Sequence, residues 1–559
     1  MRSTRKAAFL ILIVFLYLYF RGVQDHGLLD PIEGLNASVA LNMVARGHFR
    51  DFIIPRAGDL PWAGKTMGFW WLEALLLVVF GWTEFSVRLL SVAATFGTLV
   101  AVWFLTRRIR DELAANYSVV IAGTGFSTYV ASQLASPHAL YVSLLSAALV
   151  GIVYAFRDRR FFLLFHASAA LAFIVSGPAG IVLPWLCLLL YAIFTEQERF
   201  FLRALLYRSG LAASLVLGGG YLLLLHSSYP AMLTLMRHNT PAPALDAFSS
   251  ALLLFIIGLC PWAGCCVEAL SAILPRKWSS VLPAILPGQI LPSRKEGVLL
   301  SIWAAVFLFF GLLSGDGLFV IAAFPPLASL TGAHFSRALE ERELVVFQRS
   351  VLFEILFFFP LLLVGILWLS HNGSDALMGT LASIVPWLFF CSLFLLAGWY
   401  YTRTRQPKKM MLHLCLTSLL GLLPLAGILD LLAQGTSVRD VGLFLRENLE
   451  RDDVIVQYAL NRPALFFYTA RGSTLIHTSP IPGIMGQEIA EDSSLIRTWN
   501  NPRRVFMIIE KHQQNLTSLP PEVYNLMETN SPPHRLVVLS NHRERTQIEN
   551  TSPSSADAR

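Results

Sequence analysis

Two carboxylates, Asp30 and Glu33, stand three residues apart in "LLDPIEGLNASVALNMVARGHF", which starts about eight residues after an apolar run that reads as a membrane span. Residues three apart face the same way on one helical turn. Either acid could then take a proton, or the pair could contribute to a site for a hard divalent ion, although two ligands do not make such a site. The same letters also spell a helix start: aspartate, then proline, then an acid in the first turn. Near a bilayer an ionisable group is costly, which makes Glu33 harder to dismiss than Asp30. Cationic candidates are Lys65, before a tryptophan-rich apolar run, Arg56, and Arg237 with His238 in "MRHN"; Arg237 and His238 could bind phosphate or simply face water. His138, at a span boundary, is an interfacial polar residue or a helper to such a site.

Composition sets the solvent. Of the 559 residues 55% are hydrophobic and 14% charged, with a mean hydropathy of +0.58. A soluble domain rarely exceeds about half apolar, so the chain is an integral membrane protein. The formal charge of +7 comes largely from short basic clusters between apolar runs. That is the pattern of membrane topology and excludes a nucleic-acid partner. All six cysteines fall in apolar runs, leaving no disulfide framework and no CxxC metal pair. The glycines of "LGGGYLL" at 217–223 lie inside a span, where close helix packing is expected rather than a phosphate loop. A nucleotide donor held by a Rossmann site is thereby excluded.

A span needs about 20 mostly apolar residues. Runs near 7–23, 86–106, 116–134, 138–156, 161–177, 178–195, 209–226, 247–273, 297–314, 317–333, 351–370, 381–401 and 411–432 qualify, about thirteen in all, the first as a retained signal anchor. The run at 68–82 is shorter, carries Glu73, and reads as an interfacial helix. With it left out, alternate loops hold Arg107/Arg108/Arg110, Arg157/Arg159/Arg160, Arg199/Arg203/Arg208, Arg337/Arg342/Arg349 and Arg403/Arg405/Lys408/Lys409, and the opposite loops near 135–137, 177, 315 and 371–380 hold no lysine or arginine. The positive-inside rule then puts the N-terminus in the cytoplasm and the C-terminal part outside. The expected organisation is a transmembrane domain over 1–432, with a structured outer loop at 24–85. A small α/β domain follows at 433–540 and a disordered tail at 541–559. Within the small domain "DDVIVQYA", "ALFFYTA", "RRVFMIIE" and "HRLVVLS" read as strands, and "VRDVGLFLRENL" and "LPPEVYNLM" as helices.

The first loop resembles the GT-C membrane glycosyltransferases of the protein O-mannosyltransferase and lipid A aminoarabinose transferase group. Members read roughly "PDExRYAEIAREML", "FEKPPLxYW", "FxVR", "KGPxGxxLP" and "xxPW"; here the text is "DPIEGLNASVALNM", "AGKTMGFWW", "FSVR", "SGPAGIVLP" and "LCPW". "RHN" at 237–239, the pair around "SGDGLFVIAAFPPLASL" and the late "LVVLSNH" also fit. The resemblance implies an all-α polytopic GT-C fold in a bacterial inner membrane. It implies inverting transfer of a monosaccharide from a polyprenyl phosphate carrier to an outer lipid, glycan or protein acceptor. Glu33, Asp30 and His138 would act on the hydroxyl, and Lys65, Arg237, His238 and Arg56 on the lipid phosphate. No cofactor beyond a possible divalent cation is implied. Several charged positions differ: the aspartate of "DE" is Ile32, the glutamate of "FEKP" is Gly64, the lysine of "KGP" is Ser176, a late lysine is Asp316, and a later outer aspartate is His138. The alternative is a chain that keeps the scaffold and binds or presents the lipid carrier. A secondary transporter, the third class, lacks support because no internal repeat and almost no mid-span charge are visible.

Overall fold

A computed structural model describes residues 2–45, 52, 55–57, 60–62, 66–228, 245–271, 295–343, 345–353, 356, 374–479, 489–490, 492–500, 503–514, 523–529 and 535–542. The chain divides into two compact units, one of Met1–His26, Arg46–Ile54 and Ala63–Leu431, the other of Gly27–Ala45, Pro55–Trp62 and Leu432–Arg559.

The first unit is helical. Seven of its described helices are long and apolar enough to cross a bilayer: Glu84–Ile109, Pro137–Ala155, Arg159–Ser176, Arg208–Ser228, Lys295–Ser314, Gly317–Glu341 and Pro407–Leu425. The chain is thus a multi-pass membrane protein. Phe248–Gly258 and Ala263–Leu270 would make an eighth span but meet at 97°, and residues 116–134 are divided at Gly125 into helices Glu112–Thr124 and Phe126–Gln133. The two breaks serve each other: Phe126 N–H donates to Cys260 O at 3.1 Å, and the Trp262 indole donates to Thr124 Oγ1 at 2.8 Å. Backbone groups freed by broken helices in an apolar solvent need such partners. At the opposite ends of the spans the basic clusters are partly paired with acids, Arg108 with Glu296 at 2.8 Å and Arg107 with Glu112 at 3.2 Å. The helix Gly68–Phe80 buries Phe69, Trp70, Glu73, Ala74 and Leu77 and exposes Leu75, Val78, Val79 and Phe80. At about 1.5 Å per residue it is too short to cross.

Glycine packing differs from expectation. The glycines of "LGGGYLL" lie at a π-helical turn, Leu215–Gly219, and a Cβ on Gly219 or Gly220 would meet no described atom within 4 Å. The π turn, not close packing, accounts for them. Close packing is found at Gly180, where a Cβ would lie 2.4 Å from the backbone of Ala172 and Phe173, and at Gly151, 2.5 Å from Phe165 N.

The second unit carries a six-stranded sheet. Its strands, numbered after a short hairpin of β1 (Arg56–Ala57) and β2 (Leu60–Pro61), are β3 (Val454–Tyr458), β4 (Thr474–Ile476), β5 (Ile489–Ala490), β6 (Val505–Glu510), β7 (Tyr524–Glu528) and β8 (Leu536–Ser540). The order is β5-β4-β3-β6-β8-β7, parallel from β5 to β6 and antiparallel through β8 and β7. β6 and β8 are almost wholly buried, as expected of central strands covered on both faces. Two expectations fail here. "ALFFYTA" is the helix Ala464–Thr469, because a short apolar run is ambiguous and Pro463, with φ near −57°, sits at its N-terminus. "LPPEVYNLM" yields edge strand β7, paired to β8. Residues beyond 542 lie outside the described ones.

Gly180→Ala should drive two helix backbones apart and cost about 1–3 kcal/mol, while Gly219→Ala should be close to neutral. Apparent melting temperatures of the detergent-purified variants check the contrast.

Candidate functional site

The acid segment belongs to the second unit. Glu33 is fully buried and closes the first turn of its own helix, Ile32–Ala45: its Oε2 accepts the Leu29 N–H at 2.9 Å while Glu33 N–H donates to Leu29 O at 2.8 Å. This is the back-reaching acid of a capping box. Asp30 caps a different helix. Its Oδ1 accepts the N–H of Ala464, 434 residues away, at 2.9 Å, and its Oδ2 is buried with no hydrogen-bond partner among the described residues. Burial pushes the Asp30 carboxyl up to about 7, and Glu33 adds to this; the Ala464 N–H and Arg462 pull the other way. Ile32, between the two acids, is 55% exposed. The outward position of this turn is thus apolar and the two acids face inward.

Further contacts fix the helix. Leu28 N–H donates to Tyr468 Oη at 3.0 Å, Ser38 Oγ to Pro463 O at 2.7 Å, and Asn42 Nδ2 to the carbonyl of Arg56 at 3.1 Å. Gly34 lets the helix approach, since a Cβ there would lie 2.7 Å from Ala464 Cβ. Arg56 is half-buried on β1 in this same unit. Arg462, 4.0 Å from Glu510, supplies positive charge that sequence reading did not single out; its place after β3 was the available signal.

In the first unit Thr66 and Gly68 lie against Gly177 and Ile174. A Cβ on Gly68 would lie 2.8 Å from Ile174, and one on Gly177 would lie 3.8 Å from Thr66 Cγ2. Gly177 has φ +85°, a turn that glycine adopts without strain. Met67 N–H donates to Tyr221 Oη at 3.3 Å, just after the π turn, and the Trp71 indole donates to Phe52 O at 2.6 Å. Glu73 is fully buried two turns into the next helix, a burial that the apolar surroundings in sequence did not reveal. Of the tryptophans around this segment, Trp62 and Trp70 are buried and Trp82 is exposed. His138, half-buried in the first turn of Pro137–Ala155, has Nδ1 3.0 Å from Ser136 Oγ. Asp316 caps its own short helix, accepting from Leu318 N–H at 2.9 Å. Arg88 is fully buried and donates to Val23 O at 2.8 Å and His26 O at 2.9 Å.

Asp30, Glu33 and Arg56 thus fall in one unit and His138 in the other. Lys65, Arg237 and His238 lie outside the described residues. Among the described residues no three His, Cys, Asp or Glu side chains gather as a metal site, and Asp30 with Glu33 gives a hard cation too few oxygens.

Comparison with known proteins places this architecture. Residues 64–219 match the family of dolichyl-phosphate-mannose-protein mannosyltransferases. The structure superposes on ArnT from Cupriavidus metallidurans in the apo state with a TM-score of 0.74, at 16% identity, over 97% of this chain and 98% of that one. For the same protein bound to undecaprenyl phosphate the TM-score is 0.70, at 16% identity, over 96% and 98%. The chain therefore shares the fold of that membrane protein. In sequence the chain is 28% identical over 354 residues to the undecaprenyl phosphate-alpha-4-amino-4-deoxy-L-arabinose arabinosyl transferase of Pseudomonas aeruginosa, covering 59% of this chain and 60% of that one. It is also 32% identical over 180 residues to an uncharacterized protein of Aquifex aeolicus, covering 32% and 41%. The aligned segments therefore span well under two thirds of these relatives.

Arg88→Leu leaves two buried carbonyls without their donor and should destabilise by about 3 kcal/mol or more. Arg56→Leu, at a half-buried strand position, should cost well under that. Thermal unfolding of the two purified variants checks the order.

Proposed function

We propose that the chain transfers a monosaccharide from a polyprenyl phosphate carrier to a lipid, glycan or protein acceptor on the outer face of a bacterial inner membrane. The N-terminus is then cytoplasmic and the second unit outside, a placement that rests on the arginine and lysine distribution of the loops. The observation that carries the reading is the similarity to curated aminoarabinosyl transferases along 59% of the chain. The packing of Thr66 and Gly68 against Ile174 and Gly177, all within the matched residues 64–219, supports it.

The reaction is an attack by an acceptor hydroxyl on the anomeric carbon with the lipid phosphate leaving from the opposite face, which inverts the centre. The hydroxyl loses its proton as the bond forms, so a carboxylate within hydrogen-bond reach lowers the barrier. Glu33 is the assigned proton acceptor, Asp30 supports it from the same turn, and His138 assists. Lys65, Arg237, His238 and Arg56 stabilise the departing phosphate, as cations do.

A second reading, in which the chain binds or presents the lipid carrier without transfer, is favoured by one observation. Glu33 Oε2 and Asp30 Oδ1 are both occupied by backbone amides, and the outward residue of the turn is Ile32. Mass spectrometry of envelope lipids and glycans separates the two. On the transfer reading, deletion removes a sugar, Glu33→Gln at normal protein levels lowers its return about a hundredfold or more, and Ile32→Asp retains it. If Glu33→Gln restores the sugar fully, Glu33 is not the base. If deletion changes no glycosylated product, the carrier-binding reading stands.

A further inference from the structure

Among the described contacts between helix Ile32–Ala45, with the turn before it, and helix Ala464–Thr469, with the residue before it, three are neutral: Leu28 N–H to Tyr468, Ser38 to Pro463 O, and the Gly34–Ala464 approach. The fourth, Asp30 Oδ1 to Ala464 N–H, carries an ionisable group that is 6% exposed and whose second oxygen has no described partner. The charged and titratable groups around it are few. Glu33 lies in the first turn of the helix that follows Asp30, and Arg462 precedes the opposite helix and pairs at 4.0 Å with Glu510. Tyr468 lies on that opposite helix, Arg56 on strand β1 beside Asn42, and Arg439 against Gly27. A neutral carboxyl suits this pocket. An ionised one has a single N–H and one guanidinium to offset its lost water, with Glu33 opposing it.

We propose that Asp30 is a positioning residue that acts as a proton-sensitive clamp. Protonated, it holds the first-loop helix, and Glu33 with it, on helix Ala464–Thr469; ionised, it loosens that seat. The clamped group titrates near 7 against an ordinary value of 3.8. A group raised in the closed state stabilises that state in acid. Its contribution is complete below about pH 4, shrinks as the pH rises, and is gone above about pH 7. Above that pH each opening releases no further proton and the clamp is at its weakest. The clamp rests on the geometry of the second unit alone; its effect on catalysis rests on the proposed transferase function.

Hydrogen–deuterium exchange of the full-length protein in detergent tests it, with rates normalised to the intrinsic rate at each pH. The peptides read are those covering 28–45 and 462–470, and strand β6 serves as an internal control for folding. In the wild type the opening constant of these peptides should rise on the order of 30-fold from pH 5.5 to 8.5, the ratio set by the two titration points. Asp30→Asn keeps the acceptor oxygen and cannot ionise, so it should stay protected at both pH values. Asp30→Ala should exchange readily at both while β6 stays protected. A wild type whose protection does not change with pH, an Asp30→Asn that keeps the wild-type pH response, or an Asp30→Ala as protected as wild type at pH 5.5 overturns the clamp. Because exchange needs no sugar donor, a working clamp in a chain without transfer counts against the proposed function only, and transfer with an unresponsive clamp counts against the clamp only.

Discussion

Inside a bilayer no water is available to a backbone amide, and the first unit is shaped by that constraint. It explains why the spans are continuous helices, and why the two that break do so beside each other. The interruption at Gly125 and the bend at Leu259–Trp262 exchange a backbone bond from Phe126 and an indole bond from Trp262. Neither break would be tolerable facing lipid. Apolar solvent also removes the hydrophobic drive between helices, so contact depends on how closely backbones approach. Gly151 and Gly180 mark such approaches, with adjoining helix backbone where a Cβ would stand.

The second unit meets water and solves a different problem. A six-residue helix, Ala464–Thr469, begins with an amide that needs an acceptor. The acceptor comes from Asp30, 434 residues away in sequence, and ties the first-loop segment to that helix. Ser38 and Tyr468 reinforce the same junction. The price of using a carboxylate there is its burial.

Much of this was legible in the sequence, for physical reasons that can be named. Apolar runs of the right length revealed spans, and the short Val/Ile-rich runs of "DDVIVQYA", "RRVFMIIE" and "HRLVVLS" revealed β3, β6 and β8. The π turn at Leu215–Gly219 was not legible, since glycine in a membrane helix usually means packing and only coordinates show that Gly219 has open space around it. "ALFFYTA" was misread because a run buried along most of its length carries no period to separate helix from strand. The acid turn was half legible: "DPIE" announced a cap, and Glu33 is one. That Asp30 caps a helix on a distant stretch of chain is long-range information, which local spacing cannot hold.

The inward orientation of both acids bears on how the chain is organised around that turn. An exposed carboxylate at Ile32 would be available to a ligand without rearrangement, whereas buried Glu33 reaches one only if the turn shifts or the ligand enters the space behind it. Isoleucine at 55% exposure on a polar turn is an apolar surface that water does not reward. A turn that presents isoleucine outward and holds its charges behind it suits a ligand whose near part is apolar and whose reacting part lies deeper. A polyprenyl carrier has that division of polarity. On the proposed function, lipid contact would fall to Ile32 and proton handling to Glu33, neighbouring residues of one turn.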